Sequence, residues 1–123
     1  MRQRMNYEGG FMVEVINIKK CPDWGTRAGD VYIGRGSTWG NPFLMNRDTP
    51  WERNRVIELY KKYFDRNPML MAKLVCARPV RLGCHCKPKP CHGDYLKERL
   101  DSYNKIVGSC LEGYLVEETN NNY

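Results

Sequence analysis

The chain has 123 residues, which fits one domain, and its 41% hydrophobic and 28% charged residues are typical of a globular rather than a disordered protein. No apolar run reaches the roughly 20 residues of a membrane span and no signal peptide is evident, so we expect a cytoplasmic protein without a membrane partner. The formal charge is +6, but Glu112, Glu117 and Glu118 are the charged residues after position 110, so residues 1–110 carry +9. This basic body favours anionic partners, either small molecules or nucleic acid.

Two strands are predicted in the first third of the chain. The β-branched and apolar residues of 11–18 predict a buried strand. After a loop with Pro and Gly, Val31-Tyr32-Ile33 predicts a second strand that runs directly into the glycine-rich turn Gly34-Arg35-Gly36-Ser37.

Helices dominate the rest of the chain. Thr49-Pro50-Trp51-Glu52 matches a capping box with Pro at the first helical position, and apolar residues recur at helical spacing as far as Phe64. The later elements are a helix over 69–75, a strand over 79–82, a third helix from about Asp94 to Tyr103 and an ambiguous segment, 105–118, that could hold a last short strand.

This order of elements predicts an α/β fold, a small single-domain sandwich with a mostly parallel sheet. We expect a basic extension over 1–10, the domain over 11–110 and an acidic, polar segment over 111–123. Ligands of such sheets bind beyond the carboxyl ends of the strands, where both unusual motifs of this sequence lie. We therefore expect the two motifs to form one site.

The first motif is Gly34-Arg35-Gly36-Ser37. Its glycines allow backbone N–H groups to converge on an anion, Arg35 offers a bidentate fork for phosphate, and Ser37 offers a further donor. Trp39 and Asn41, just beyond it, provide an aromatic face and an amide for a nucleobase. The alternative interpretation is a tight turn after an edge strand, with Trp39 and Phe43 in the core.

The second motif is the segment Cys84-His85-Cys86-Lys87-Pro88-Lys89-Pro90-Cys91-His92-Gly93-Asp94, which holds three of the six cysteines and both histidines. Because nothing signals secretion, clustered cysteines favour metal binding or chemistry over disulfides. One interpretation is a Zn²⁺ site, whose candidate ligands are Cys84, Cys86, Cys91 and His92, although CxC differs from the usual spacing. The remaining cysteines, Cys21, Cys76 and Cys110, are expected to pack in the interior.

A second interpretation of this segment is a reactive centre. A thiol at a helix N-terminus beside an imidazole becomes a nucleophile. The candidates are Cys91 with His92, or Cys84 facing His92, with His92 or Asp94 as acid or base. A third interpretation is structural, with small buried thiols and a capping histidine. Lys87 and Lys89 form a basic tip that could approach phosphates.

Three stretches of the sequence together resemble one family: VYIGRGSTWGNPF, the Arg-x-x-Val-Ile-x-x-Tyr pattern of 53–60, and LGCHCKPKPCHGDYL. From about residue 13 to 100 the chain resembles the uncharacterised bacterial and phage family called domain of unknown function 4326, and more distantly domain of unknown function 488. The resemblance implies a Rossmann-like domain in the cytoplasm, that of the host if a phage encodes it. It implies a shared site of Arg35, Ser37, Trp39, Asn41, Cys84, Cys86, Cys91, His92 and Asp94. His85 departs from the family pattern, where an aromatic residue such as Trp is expected.

The leading functional hypothesis is that a site joining GRGSTWGNPF and CHCKPKPCHGD binds a nucleotide, nucleoside or related phosphate-bearing ligand. Whether the ligand is also processed stays open. One alternative is a zinc-stabilised nucleic-acid-binding module without catalysis, whose Lys87, Lys89, Arg2 and Arg4 contact phosphates. Another is a phage-type protein that sequesters a host nucleotide signal or inhibits a host protein. A homodimer is also open, because small α/β domains often pair.

Overall fold

A parallel three-stranded sheet organises the fold. The computed structural model describes residues 6–7 and 10–120, with side chains over 12–108. Its elements are β1 (Asn6–Tyr7), β2 (Gly10–Phe11), β3 (Glu14–Asn17), a 3-10 helix (Ile18–Lys20), β4 (Asp30–Tyr32), α1 (Pro50–Asp65), α2 (Pro68–Ala77), β5 (Arg81–Cys84) and α3 (His92–Asn120). The predicted α/β class is confirmed.

Strand β5 is the centre of the sheet, between β3 and β4, and it is parallel to both. Leu82 stands opposite Val15 on one side and Val31 on the other. All four residues of β5 are buried, as expected for a central parallel strand. The short strands β1 and β2 form a separate antiparallel pair.

The charge of Arg81 at the start of β5 is balanced by two carboxylates. Its Nε lies 2.6 Å from Asp30 and its Nη1 lies 3.2 Å from Asp23. Hydrogen bonds from Cys21 and from Arg81 lower the pKa of Asp23 to about 2. These contacts fix the loop before β4 against the central strand.

The predicted start of α1 is confirmed. The Thr49 Oγ1 accepts a hydrogen bond from the Glu52 N–H at 3.2 Å, and Pro50 is the first helical residue. The Glu52 carboxylate instead accepts from the Asn46 N–H and from Arg55, so the reciprocal half of the capping box does not form.

Helix α3 is longer than the sequence pattern indicates. It begins at His92 and continues to Asn120, so the strand considered for 105–118 is wrong. No proline follows Tyr103 to stop the helix, and an interior glycine such as Gly108 costs a helix only about 1 kcal/mol. The expected boundary at residue 110 falls inside α3, and residues 1–5 of the expected basic extension lie outside the described residues.

The core lies between the sheet and the helices. The most fully buried large side chains are Tyr60, Phe64, Ile33, Leu74, Leu82, Leu96 and Leu100.

The three cysteines expected to pack in the interior have different surroundings. Cys76 is exposed rather than packed, Cys21 is half-buried beside Arg81, and the Cys110 side chain lies outside the described residues. None of the helices in the described part of the chain has the length and apolar content of a membrane span.

Candidate functional site

The two sequence motifs meet at one cavity of about 190 Å³, beyond the carboxyl ends of β4 and β5. We call residues 34–41 the glycine loop and residues 84–92 the cysteine segment. The cavity is lined by Gly34, Arg35, Asn41, Phe43, Met45, Arg53, Val56, Ile57, Cys84, His85, Cys86, Pro90, Cys91 and His92. The expected convergence of the motifs is therefore present in the structure.

Helix α1 supplies the apolar wall of the cavity together with a buried arginine. Arg53, Val56 and Tyr60 follow one another at helical spacing and are buried, so they share the face that points inward. Sequence reasoning did not select Arg53 as a site residue. Its signal is a charged residue at a position where the helical pattern calls for an apolar one.

The Arg53 guanidinium joins α1 to the cysteine segment. Its Nη2 donates to Asp48 at 2.7 Å, and its Nη1 donates to the Pro90 carbonyl oxygen at 3.0 Å. It lines the same cavity as Cys84, Cys86 and Cys91. A buried positive charge therefore stands beside the cysteines.

Cys84, Cys86 and Cys91 form a thiol cluster at the floor of the cavity. The sulfurs of Cys84 and Cys91 are 3.8 Å apart, and both side chains are buried. Hydrogen bonds from these two thiols, aided by Arg53, hold the pKa of Cys86 far below its usual value. The same thiol contacts, together with burial, raise the pKa of Cys91.

His92, the first residue of α3, is oriented by the end of β4. Its Nε2 lies 2.7 Å from the Ile33 carbonyl oxygen, and its ring centroid is 4.8 Å from that of Tyr60. A carbonyl oxygen only accepts hydrogen bonds, so Nε2 carries the proton. Burial lowers the pKa of His92 and favours the neutral ring.

The charged groups within the cysteine segment and just after it are paired. Asp94 accepts from the Cys91 N–H at 3.1 Å and forms an ion pair with Lys87. Lys89 pairs with Asp48 at 2.9 Å. Neither the two lysines nor Asp94 lines the cavity, although Lys89 lines a neighbouring groove.

Several residues of the glycine loop shape it rather than line the cavity. Gly36 has a φ of +94°, which L residues rarely adopt, and Ser37 donates its hydroxyl to the Gly34 carbonyl oxygen at 2.7 Å. The indole of Trp39 donates to the Leu70 carbonyl oxygen and packs against the core. Asn41 does line the cavity, but both ends of its side-chain amide are already bonded. Its Nδ2 donates to the Val56 carbonyl oxygen, and its Oδ1 accepts from the Phe43 N–H.

Gly93 permits the start of α3 to lie close to the sheet. A Cβ at this position would be 2.8 Å from Ile33 Cδ1 and 3.0 Å from Val15 Cγ1. Both distances are shorter than ordinary van der Waals contact, so a side chain would push α3 away from β3 and β4. This close approach keeps Cys91 and His92 at the cavity.

The proposed zinc ligands do not converge on one point. His92 is turned toward Ile33, and within residues 12–108 no three His, Cys, Asp or Glu side chains are placed to hold a metal ion. Zinc binding stays a prediction from the sequence.

The fold and site define a small α/β domain with a cavity lined by thiols and guanidinium groups at the carboxyl ends of parallel strands. The chain belongs to the family described as Domain of unknown function (DUF4326), whose model matches residues 16–102.

A relative from Enterobacteria phage T4, called an uncharacterised 12.4 kDa protein in the nrdA-td intergenic region, is 46% identical over 71 residues. The alignment covers 54% of this chain and 63% of that protein. No solved structure matches the chain.

Proposed function

We propose that the cavity binds a small anionic ligand of the nucleotide or nucleoside type, with its anionic group at Arg35. The observation that carries this proposal is the position of Arg35, which is exposed and lines the same cavity as the apolar side chains of α1. Among the residues that the structure describes, its guanidinium makes no ion pair, whereas Arg53 is already paired with Asp48. Arg35 is therefore available to an anion from solution.

The size of the cavity limits the ligand. At about 190 Å³ it is smaller than the roughly 300–1,000 Å³ of drug-sized sites. One ring system fits, whereas a dinucleotide does not. We expect the base or the sugar to enter between Phe43 and Val56, with the phosphate outside near Arg35.

The proposal places this binding in the bacterial cytoplasm, that of the host where a phage encodes the chain. The phage relative supports this placement. We propose binding rather than catalysis, because each of the groups first considered for catalysis already has a partner within the protein. His92 contacts Ile33, Asp94 pairs with Lys87, and the Cys91 sulfur contacts Cys84.

Calorimetry with a panel of nucleosides, their 5′-monophosphates and inorganic phosphate tests the proposal. We expect at least one monophosphate to bind more tightly than its nucleoside, because only the monophosphate reaches Arg35. The Arg35→Ala variant should weaken that binding about tenfold, the effect of losing one charge-assisted pair of roughly 1.4 kcal/mol.

Arg66→Ala is the matched control, since Arg66 is exposed at the other end of α1 and does not line the cavity. Equal affinity of the Arg35→Ala variant and the unmodified protein, or no binding by any member of the panel, would contradict the proposal.

A further inference from the structure

A second groove lies beside the candidate cavity and shares part of its wall. The groove has a volume of about 360 Å³, and its lining includes Asp48, Arg53, Asn54, Ile57, Lys89 and Pro90. Three of these residues, Arg53, Ile57 and Pro90, also line the cavity, so they form the boundary between the two spaces. A ligand seated in the cavity therefore lies next to the groove.

The groove carries a net positive charge. Arg53 donates to the Asp48 carboxylate at 2.7 Å, and the Lys89 ammonium pairs with the same carboxylate at 2.9 Å. Among the described residues that line the groove, Asp48 is the only acidic one. Two cations therefore share one carboxylate, and one positive charge is left for an anion from solution.

Lys89 and Asn54 have hydrogen-bond donors to spare. An ammonium group has three donors, and Asp48 accepts one of those of Lys89. The Lys89 side chain is 59% exposed, so its other two donors are open to a ligand. Asn54 is exposed on α1, and its side-chain amide makes no hydrogen bond within the described part of the chain. A charged and a neutral donor on one groove suit the oxygens of a phosphate group.

We propose that the groove is a second anion subsite, in which Lys89 and Asn54 bind a phosphate group carried on a different arm of the ligand from the phosphate at Arg35. This inference rests on the proposed function and narrows its ligand to a nucleoside with two separated phosphates, such as a nucleoside 3′,5′-bisphosphate. The phosphates are separated because Arg53 and Pro90, joined by a hydrogen bond of 3.0 Å, stand between the groove and the cavity. Two adjacent phosphates would both lie on one side of this boundary.

The two lysines of the cysteine segment differ in their relation to the groove. Lys89 lines it, whereas Lys87 forms an ion pair with Asp94 and lines neither the groove nor the cavity. A ligand in either space therefore meets Lys89 and not Lys87. This difference makes Lys87→Ala a matched control for Lys89→Ala, because both variants lose one positive charge from the same segment.

Calorimetry of the full chain with the 5′-monophosphates and the 3′,5′-bisphosphates of the same nucleosides tests the subsite. We expect the bisphosphate of the best-binding nucleoside to bind about tenfold more tightly than its 5′-monophosphate. Lys89→Ala should remove most of this gain, Asn54→Ala should reduce it, and both should leave the affinity for the monophosphate within about twofold. Lys87→Ala should change neither affinity. Because Lys89 and Asn54 are exposed, both variants should fold, which circular dichroism checks.

The outcomes separate the subsite from the proposed function. A bisphosphate that binds no better than its monophosphate, or whose advantage survives Lys89→Ala, overturns the subsite even where monophosphate binding depends on Arg35. Lys89-dependent binding of a bisphosphate with unchanged affinity in the Arg35→Ala variant supports the subsite and contradicts the anion site at Arg35. A 5′-diphosphate that gains as much as the bisphosphate contradicts the separation of the phosphates. A single-stranded oligonucleotide that binds more tightly than every bisphosphate contradicts the small-ligand class.

Discussion

The Nε2 atom of His92 lies 2.7 Å from the carbonyl oxygen of Ile33, and this hydrogen bond joins the first residue of α3 to the residue that follows β4. Ile33 immediately precedes the glycine loop, and His92 ends the cysteine segment. A single buried contact therefore connects two motifs that are about 50 residues apart in the chain. It gives His92 a positioning role in the site.

Stability should fall as the pH is lowered through the range in which an exposed histidine titrates. Burial holds the pKa of His92 below its ordinary value, so the unfolded chain binds a proton before the folded one does. The stabilisation that comes from the neutral His92 ring is complete above about pH 6.5, and it is lost as the pH falls toward the lowered pKa of His92 in the folded state.

Urea unfolding between pH 5 and 8 measures this effect. His92→Gln keeps a donor but cannot titrate, so its free energy of unfolding should depend less on pH than that of the unmodified protein. Parallel pH profiles of the two proteins would show that His92 is not the group responsible.

Removing the Asp30 carboxylate should destabilise the fold strongly. Asp30 has a side chain that is 2% exposed and contacts the buried Arg81 at 2.6 Å. Asp30→Asn leaves that arginine short of a countercharge, which typically costs about 3–5 kcal/mol. Chemical denaturation measures the loss. Glu58→Gln at the exposed Glu58–Lys61 pair is the control and should cost less than about 1 kcal/mol. Similar losses in both variants would argue against a buried ion pair.

Gly93→Ala should destabilise the protein although it is a substitution within a helix. Alanine favours a helix over glycine by about 1 kcal/mol, but its Cβ would lie 2.8 Å from Ile33 Cδ1. The steric overlap reverses the expected gain. Because Ile33→Val removes the overlapping methyl group, the double variant should lose less stability than the sum of the two single variants. Additive losses would indicate that Ile33 is not the obstacle.

The cap of α1 should contribute measurably to stability. Thr49→Ala removes the side-chain acceptor of the Glu52 N–H and should cost about 1 kcal/mol. Thr38→Ala, at an exposed loop position, is the control and should change the melting temperature little. Equal melting temperatures for the two variants would mean that the cap is dispensable.

Local chemistry made much of the fold predictable. Thr49 and Pro50 mark the start of α1 because capping depends on neighbours within one turn. The apolar run of 11–18 indicates a strand for a similar reason. Only Glu14–Asn17 joins the parallel sheet, and the expected burial is wrong, because Glu14 is exposed and the other three residues are half-buried. The end of α3 was not predictable in this way, since no local breaker follows Tyr103.

Long-range contacts explain what the sequence pattern did not show about the site. Arg53 reaches the cysteine segment through Pro90, 37 residues away, and no local pattern indicates such a partner. The indole of Trp39 donates to the carbonyl oxygen of Leu70, 31 residues away. The sequence left two interpretations of Trp39 open, a face for a nucleobase and a core residue, because this distant partner has no local signal. The contact between the sulfurs of Cys84 and Cys91, which lie 3.8 Å apart, is made by the fold, and the spacing of the cysteines alone does not determine it.

We propose that the glycine loop and the cysteine segment bind one ligand together. The most direct measurement is an amide NMR titration of the chain with the nucleoside monophosphate that binds best in calorimetry. We expect the signals of Arg35 and of Cys86 to shift together, with one shared Kd. Shifts confined to one of the two motifs, or two clearly different Kd values, would contradict it.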